Sequence, residues 1–223
     1  MTSLFRQGTL YKIERRLIKS DIVPCWVYDR TILTGGALGV ELEAEKLARD
    51  HGLTVQVIIP PCHPQSKTVP PLTITQLAEA IPIRLQVAAR LNKQQTQNLV
   101  SLQYIHRNYH VVEQADMALA FTYFQPESNM CFGATGWAVE MAKLLNKILY
   151  VYDVEKQIWP WYRQGEDLFY ACDQMPSKQF ALPAFQPKTA IVGIRNIYDF
   201  PDALLELNDT FERSIPEVVY FCT

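Results

Sequence analysis

The stretch Thr34-Gly35-Gly36-Ala37-Leu38-Gly39 follows a short apolar run and precedes a segment with helical spacing. A second stretch, Phe132-Gly133-Ala134-Thr135-Gly136, has the same setting. Glycine in such a turn lets a ligand approach the backbone closely, because no Cβ stands in the way. The helix that follows offers unpaired N–H groups and a positive dipole end, which suit phosphate or another anion. The two turns predict two walls of one nucleotide-sized pocket at the carboxyl edge of a parallel sheet.

The order of elements predicts an α/β fold, Rossmann-like, with a mostly parallel sheet and helices on both faces. Two strand–helix–strand units form its core over residues 30–153, and such crossovers are right-handed. The first unit has strands over Thr31–Thr34 and 54–59 around a helix over 40–51. The second has strands over 117–121 and 148–152 around a helix over 138–145. We expect one domain over residues 1–223.

The other segments give weaker signals. Residues 60–82 are rich in proline and predict a rim loop with a short helix near 76–80. Residues 83–114 lack glycine and proline and predict one long helix or two. Residues 155–187 predict a hairpin or an irregular cap. Residues 188–223 predict a strand over 189–194, a helix over 201–213 and a final strand over 218–221.

Composition narrows the class of protein. The 223 residues are 48% hydrophobic and carry a net charge of −2, and no run of basic residues stands out, which argues against a nucleic-acid groove. The sequence contains no stretch of 18 apolar residues, so we expect no membrane-spanning helix, and the N-terminus does not resemble a signal peptide. The five cysteines are far apart and odd in number, which favours free thiols in a reducing cytoplasm.

Glu140 is the sharpest candidate for chemistry, because it lies four residues after Gly136 and one turn inside the predicted helix. A carboxylate beside an anion site suits ribose recognition or general acid–base work. The alternative interpretation is a glutamate placed near a helix N-terminus because the dipole favours it there.

Four further residues are candidates for ligand contacts. Arg107, with Asn108 beside it, offers a planar fork for phosphate or carboxylate, although a solvated arginine is an equal alternative. Trp137 is either a stacking surface for a base or part of the core. Asp153 ends a predicted strand and is placed to accept a hydrogen bond from a ribose hydroxyl.

Neither a metal site nor a thiol nucleophile is favoured. His106 and His110 share a helix face at a spacing that zinc sites use, but no third ligand accompanies them. Cys62 and His63 are adjacent in sequence and lack the third partner that orients a catalytic base.

Taken together, these motifs resemble the SLOG superfamily, which joins the DNA-processing proteins of natural transformation with the "lonely guy" cytokinin-activating ribohydrolases. Thr34-Gly-Gly-Ala-Leu-Gly-Val-Glu41 is similar to the Gly-Gly-Ala-x-Gly-x-Asp pattern of one branch. Phe132-Gly-Ala-Thr-Gly-Trp-Ala-Val-Glu140 aligns with the lonely-guy pattern Pro-Gly-Gly-x-Gly-Thr-x-x-Glu. The likeness covers roughly residues 30–153. Phe132, Ala134, Trp137 and Glu41 depart from these patterns.

The resemblance implies a set of site residues. Glu140 and Arg107 stand where lonely-guy enzymes carry their catalytic pair. Arg195, in a Gly-x-Arg turn found in some members, is implied as another anion contact. With the residues proposed above, the predicted ligand-binding set is Gly35, Gly36, Ala37, Gly39, Gly133, Ala134, Thr135, Gly136, Trp137, Asn108, Asp153 and Arg195.

The resemblance implies that the chain binds a phosphorylated nucleoside or a similar small molecule and hydrolyses its N-glycosidic bond. The first alternative is a sensor or carrier without catalysis, similar to the molybdenum cofactor carriers. The second is a DNA-processing partner, against which the near-neutral charge argues. No metal or organic cofactor is required, and we expect the chain to form homo-oligomers.

Overall fold

A seven-stranded sheet organises the computed structural model, which describes residues 30–93, 98–163, 168–170 and 187–214. The strands of both sheets are β1 (Thr31–Thr34), β2 (Thr54–Val57), β3 (Met117–Thr122), β4 (Phe124–Gln125), β5 (Met130–Cys131), β6 (Ile148–Asp153), β7 (Trp161–Arg163), β8 (Leu168–Tyr170) and β9 (Lys188–Gly193). The α-helices are α1 (Val40–Asp50), α2 (Ile74–Glu79), α3 (Ile81–Arg90), α4 (Leu99–Glu113), α5 (Gly133–Leu144) and α6 (Pro201–Ser214). Short 3₁₀ helices cover Pro64–Lys67 and Ile197–Asp199.

The strand order in the large sheet is β2-β1-β9-β3-β6-β7-β8. The first five strands are parallel, and β7 and β8 add an antiparallel hairpin at one edge. A separate pair, β4 and β5, forms a small antiparallel sheet. The chain crosses outward from β1 to β2 and from β3 to β6, while β9 lies between β1 and β3. The strand order therefore reverses at β9, which is where open parallel sheets place a ligand crevice.

Helices cover both faces of the sheet, as predicted. In β1, Ile32 packs with Val40 of α1 and Phe211 of α6, whereas Leu33 packs with Val112 of α4 and Val139 of α5. Adjacent side chains of a strand point to opposite faces, so one strand contributes to both layers. Every residue of β3 is buried, which is typical of a central parallel strand. The α/β Rossmann-like prediction is thus confirmed.

The second glycine turn differs from its prediction. We expected the helix to begin after Gly136, but α5 begins at Gly133, and Gly136 lies inside its first turns. Gly133 has a φ of 68°, which glycine adopts without strain. A Cβ on Gly136 would lie 2.2 Å from the carbonyl oxygen of Cys131, so glycine there permits close packing of the helix on the preceding loop.

The remaining segments agree in part with their predictions. Segment 83–114 forms two helices, α3 and α4, and α3 begins at Ile81 with Pro82 in its first turn. The short helix near 76–80 is α2. The predicted loop before Gly133 contains β4 and β5, and the cap contains the β7–β8 hairpin. Residues 1–29 and 171–186 and the predicted strand over 218–221 lie outside the described residues. In the described part of the chain, no helix has the length and apolar character to cross a membrane.

Candidate functional site

A cavity of about 560 Å³ lies at the carboxyl edge of the sheet, where the strand order reverses. Its walls come from the residues that follow β1, β3 and β9, from the start of α5 and from one side of α4. Both glycine turns contribute, the first through Ala37 and the second through Gly133, Ala134 and Thr135. The placement follows from the parallel sheet, because the carboxyl ends of parallel strands meet at one edge.

The second turn presents the N-terminus of α5 to this cavity. No side chain caps that terminus, and the Gly136 N–H is already bonded to the Phe132 carbonyl. The backbone N–H groups of Gly133, Ala134 and Thr135 belong to the first turn of a helix, where no intrahelical acceptor exists. The Asn108 amide donates to the Ala134 carbonyl at 3.3 Å and ties α4 to the turn. This wall combines free donors with a positive helix dipole.

The first turn is filled by the protein itself. Glu41 Oε2 accepts hydrogen bonds from the backbone N–H of Gly35 at 2.9 Å and of Ala37 at 3.1 Å. Arg107 Nη1 donates to the same oxygen at 2.7 Å. Both side chains are 5% exposed and both residues line the cavity. The anion position of the first turn is therefore occupied by a carboxylate of the chain.

Arg107 reaches this position because Gly35 has no side chain. A Cβ on Gly35 would lie 1.0 Å from Arg107 Nη1. The guanidinium thus rests directly against the backbone of the turn, and its Nε has no hydrogen-bond partner among the described residues. We predicted Arg107 as a free phosphate ligand; in the structure it is paired with Glu41. The sequence signal for Glu41 was present in the motif, but it pointed only to a departure from the family pattern.

Only some of the predicted site residues line the cavity. Those that line it are Ala37, Arg107, Asn108, Gly133, Ala134, Thr135, Trp137 and Arg195. Those that do not are Gly35, Gly36, Gly39, Gly136, Glu140 and Asp153. The four glycines of the second group shape the turns and their packing instead.

Glu140 lies deeper than we expected. Because α5 begins at Gly133, Glu140 is two turns inside the helix, about 10 Å from its start at 1.5 Å per residue. Its Oε1 lies 2.6 Å from Lys143 Nζ and its Oε2 lies 3.5 Å from Arg90 Nη1. Lys143 in turn lies 4.7 Å from the centre of the Phe169 ring in the β7–β8 hairpin. The carboxylate thus forms a buried ion pair away from the cavity, and its catalytic role stays a prediction.

Asp153 does not line the cavity either. It is fully buried, and its Oδ1 accepts the backbone N–H of Glu155 at 3.2 Å in the turn after β6. Its Oδ2 has no hydrogen-bond partner among the described residues. Its contact with a ribose hydroxyl therefore stays a prediction, because the residue does not border the cavity.

Trp137 combines the two interpretations that the sequence left open. The side chain is buried in a cluster between α3, α4 and α5 that includes Val87, Leu91 and Met141. The same residue borders the cavity. The indole is thus a core side chain with one part at the cavity wall.

Sequence reasoning missed the aromatic and basic groups that α4 and the end of α3 bring to the cavity. The Tyr104 ring lies 5.7 Å from Arg107 Cζ and 5.8 Å from Arg195 Cζ. Lys93 Nζ lies 6.0 Å from the centre of the Trp137 ring. No motif marks Tyr104 or Lys93, because their proximity depends on how α3 and α4 pack against each other and against α5.

His63 is hydrogen-bonded to the backbone of the first turn. Its Nδ1 accepts the backbone N–H of Gln65 at 3.2 Å, so the ring proton is on Nε2, which donates to the Gly36 carbonyl at 3.1 Å. Burial lowers the pKa of His63, and the nearby Arg107 lowers it further. The imidazole is thus held neutral and has no free nitrogen for a thiol.

Cys62 and Cys131 are the cysteines that the described part of the chain contains, and neither has an activated thiol. Burial raises the pKa of the Cys62 thiol, and it raises the pKa of Cys131 to about 12, so neither thiolate is favoured. His110 Nε2 lies 2.6 Å from the Gln76 carbonyl oxygen. Among the described residues, no group of three or more histidine, cysteine or acidic side chains is arranged for a metal ion.

Comparison with known proteins adds one structural similarity. No protein-family model matches the chain, and no curated protein matches it. A crystal structure from Syntrophus aciditrophicus SB, of a protein provisionally named a molybdenum carrier, is similar over 83% of this chain and 94% of that one. The TM-score is 0.48 and the sequence identity is 12%. Similarity at this level supports neither a shared family nor a shared ligand, and membership of the SLOG superfamily stays a prediction.

Proposed function

We propose that this chain binds an anionic, nucleotide-like small molecule in the cavity at the carboxyl edge of the sheet. The observation that carries the proposal is the uncapped N-terminus of α5, which faces the same 560 Å³ cavity as Arg195. That volume is within the range of ordinary small-molecule sites. The parallel sheet reverses its strand order at this point, as in other α/β proteins that bind ligands there.

The anionic end of the ligand is assigned to the second glycine turn. Backbone N–H groups of Ala134 and Thr135 are available there, and the helix dipole favours negative charge. Arg195 supplies a cation that no carboxylate pairs within the described residues, whereas Arg107 is already paired with Glu41. We assign a single phosphate to the N–H groups of α5, with Arg195 as the cation of the same cavity.

The planar part of the ligand is assigned to the aromatic side of the cavity. Tyr104, Tyr123, Phe132 and Trp137 all line it. Aromatic faces suit the flat ring of a base, with offset stacking as the favoured geometry. The cavity therefore offers an anion subsite and an aromatic subsite, which together match a nucleoside monophosphate.

Binding without turnover is the form of this function that the geometry favours. Glu140 is paired with Lys143 and Arg90 and does not line the cavity. A general acid or base must lie within hydrogen-bond reach of the atom that it protonates or deprotonates, directly or through one water molecule. Hydrolysis of an N-glycosidic bond by Glu140 is therefore the second candidate, distinguished by the experiment below.

The test is a panel of AMP, GMP, CMP and UMP, measured by calorimetry for affinity and by chromatography for free base. We expect at least one nucleotide to bind and no base to be released. Arg195→Gln should weaken that binding about 10- to 100-fold, since a hydrogen bond to a charged group contributes about 1.5–3 kcal/mol. Arg49→Gln is the matched control, because Arg49 pairs with Glu45 on α1 and lies outside the cavity lining.

Four outcomes decide between the functions. Failure of all four nucleotides to bind contradicts the proposal, as does equal binding by wild type and Arg195→Gln. Release of free base by the wild-type protein replaces the carrier or sensor function with a ribohydrolase function. Binding by the wild type that Arg195→Gln weakens, without release of free base, supports the proposal.

Self-association is part of the same proposal and rests on a separate surface. Ile74 and Leu99, on α2 and α4, are 82% and 73% exposed, which is unusual for large apolar side chains. Analytical ultracentrifugation at micromolar concentration tests it. A single monomeric species would contradict it.

A further inference from the structure

We propose that Glu41 is a built-in anion that fills the first glycine turn, so that the cavity selects ligands with one anionic group over ligands with two. This inference rests on the proposed function and specifies the ligand class of the same site. It depends on a residue for which the site prediction had no role.

Three donors converge on a single oxygen of Glu41. The N–H groups of Gly35 and Ala37 and the guanidinium of Arg107 all lie within 3.1 Å of Oε2. This is the arrangement that an anion adopts at a glycine turn before a helix. A ligand phosphate at this position would have to displace the carboxylate.

Displacement is disfavoured because the pair is buried. The side chains of Glu41 and Arg107 are each 5% exposed. Breaking a buried ion pair leaves a charge without its partner in a poorly solvated place. Thr34 and Glu45 hold the next turn of α1 with a hydrogen bond of 2.8 Å, so the helix that carries Glu41 is itself fixed to β1.

The charges of the two turns are therefore unequal. At the first turn, the carboxylate balances the guanidinium and uses two backbone donors. At the second turn, no side chain caps the N–H groups of α5, which face the same cavity that Arg195 lines. One phosphate is attracted to the second turn, while a further phosphate directed at the first turn meets the like charge of Glu41.

Glu41 also determines which neutral group suits the first turn. A carboxylate accepts hydrogen bonds and donates none. The part of the ligand that approaches Glu41 should therefore be a neutral donor, such as a sugar hydroxyl. The combined preference is for a monophosphate ester of a polyhydroxylated nucleoside over its diphosphate.

The test compares each nucleoside monophosphate of the panel with its diphosphate by calorimetry: AMP with ADP, GMP with GDP, CMP with CDP and UMP with UDP. We expect wild-type protein to bind the monophosphate at least tenfold more tightly. In Glu41→Gln, an amide oxygen still accepts from Gly35 and Ala37, but the charge is lost and Arg107 is released. The ratio should fall below threefold, mainly through tighter diphosphate binding.

Glu43→Gln is the matched control, because Glu43 lies on the same helix, pairs with Lys46 and does not line the cavity. It should keep the wild-type ratio. If the wild type binds monophosphate and diphosphate equally well, the inference is overturned and the proposed function remains intact. This comparison uses only wild-type protein, so it decides the inference even if Glu41→Gln does not fold. An unchanged ratio in folded Glu41→Gln also overturns it. Binding of neither nucleotide by the wild type overturns the proposed function itself.

Discussion

Arg107 Nη1 lies 2.7 Å from Glu41 Oε2, although the two residues are 66 positions apart in the chain. The pair joins α4 to the start of α1 across the backbone of Gly35, and both side chains are buried. It fixes the shape of the first glycine turn and also removes that turn's anion position from the cavity. Stability and ligand choice are therefore expected to depend on the same contact.

The energetic coupling of this pair is testable by a double-mutant cycle. Glu41→Ala and Arg107→Ala should each lower the free energy of unfolding by about 3–5 kcal/mol, because each leaves a buried charge without its partner. The double variant should lose clearly less than the sum of the two. Urea denaturation measures all three variants and the wild type.

The exposed pair of Lys46 and Glu43, 2.6 Å apart on α1, is the control cycle. Its coupling should be below about 1 kcal/mol, as is usual for ion pairs at the surface. An equal coupling in the two cycles would mean that burial adds nothing to the Glu41–Arg107 contact.

The two glycines of α5 should respond differently to alanine. At Gly133 a Cβ meets nothing within 4 Å, so the cost of alanine is that of a φ of 68°, about 1–2 kcal/mol. At Gly136 a Cβ would lie 2.2 Å from a backbone oxygen of Cys131, and the helix or the loop must move. The free energy of unfolding of Gly136→Ala should therefore fall by more, about 3 kcal/mol. A smaller loss at Gly136 than at Gly133 would contradict the packing described here.

The sequence was sufficient for the fold class because its signals are local. Apolar runs of four to six residues, glycine turns and helical spacing identified β1, β3, β6 and their helices. The insertion of β9 between β1 and β3 was not predictable, because strand pairing between residues more than 60 positions apart leaves no local pattern. That insertion is what brings Arg195 to the cavity.

The site was only partly predictable for the same reason. The two turns and Arg195 were identified from motifs, and both turns line one cavity. The depth of Glu140 depended on whether α5 begins at Gly133 or after Gly136, a shift of at least four residues that moves the carboxylate by about one turn of helix. The ion pair between Arg107 and Glu41 was not predictable from the sequence, because an acidic residue in the first turn of a helix is ordinarily explained by the helix dipole alone.

Glu140→Gln separates a structural role from a catalytic one. Lys143 would lose its charged partner at 2.6 Å, so the free energy of unfolding should fall by about 1–3 kcal/mol. Affinity for the nucleotide that binds best should stay within about twofold of wild type, because Glu140 does not line the cavity. Calorimetry and urea denaturation provide the two values. If wild type releases free base and Glu140→Gln does so about a hundredfold more slowly at unchanged affinity, Glu140 is catalytic after all.

His63 should make stability depend on pH. Its pKa in the folded protein is lowered by burial and by Arg107, so the unfolded chain takes up a proton at a higher pH than the folded one. The stabilisation is fully present above the unfolded pKa of about 6.5 and is lost as the pH falls below it towards the folded pKa. His63→Asn has no such loss, so the difference in unfolding free energy between wild type and variant should shrink from pH 7.5 to pH 5. His106, whose pKa is also lowered by burial, is present in both proteins and cancels. If the difference in unfolding free energy stays constant with pH, the His63 ring is not held neutral by hydrogen bonds at both of its nitrogens.

The most direct test of the central claim is a crystal structure of the protein with the nucleoside monophosphate that binds most tightly. We expect phosphate oxygens within about 3.2 Å of the backbone nitrogens of Ala134 and Thr135, next to Arg195, with the base against Tyr104. Glu41 should remain on the N–H groups of Gly35 and Ala37. A phosphate at Gly35 and Ala37 with Glu41 displaced, or a nucleotide bound outside this cavity, would contradict the account.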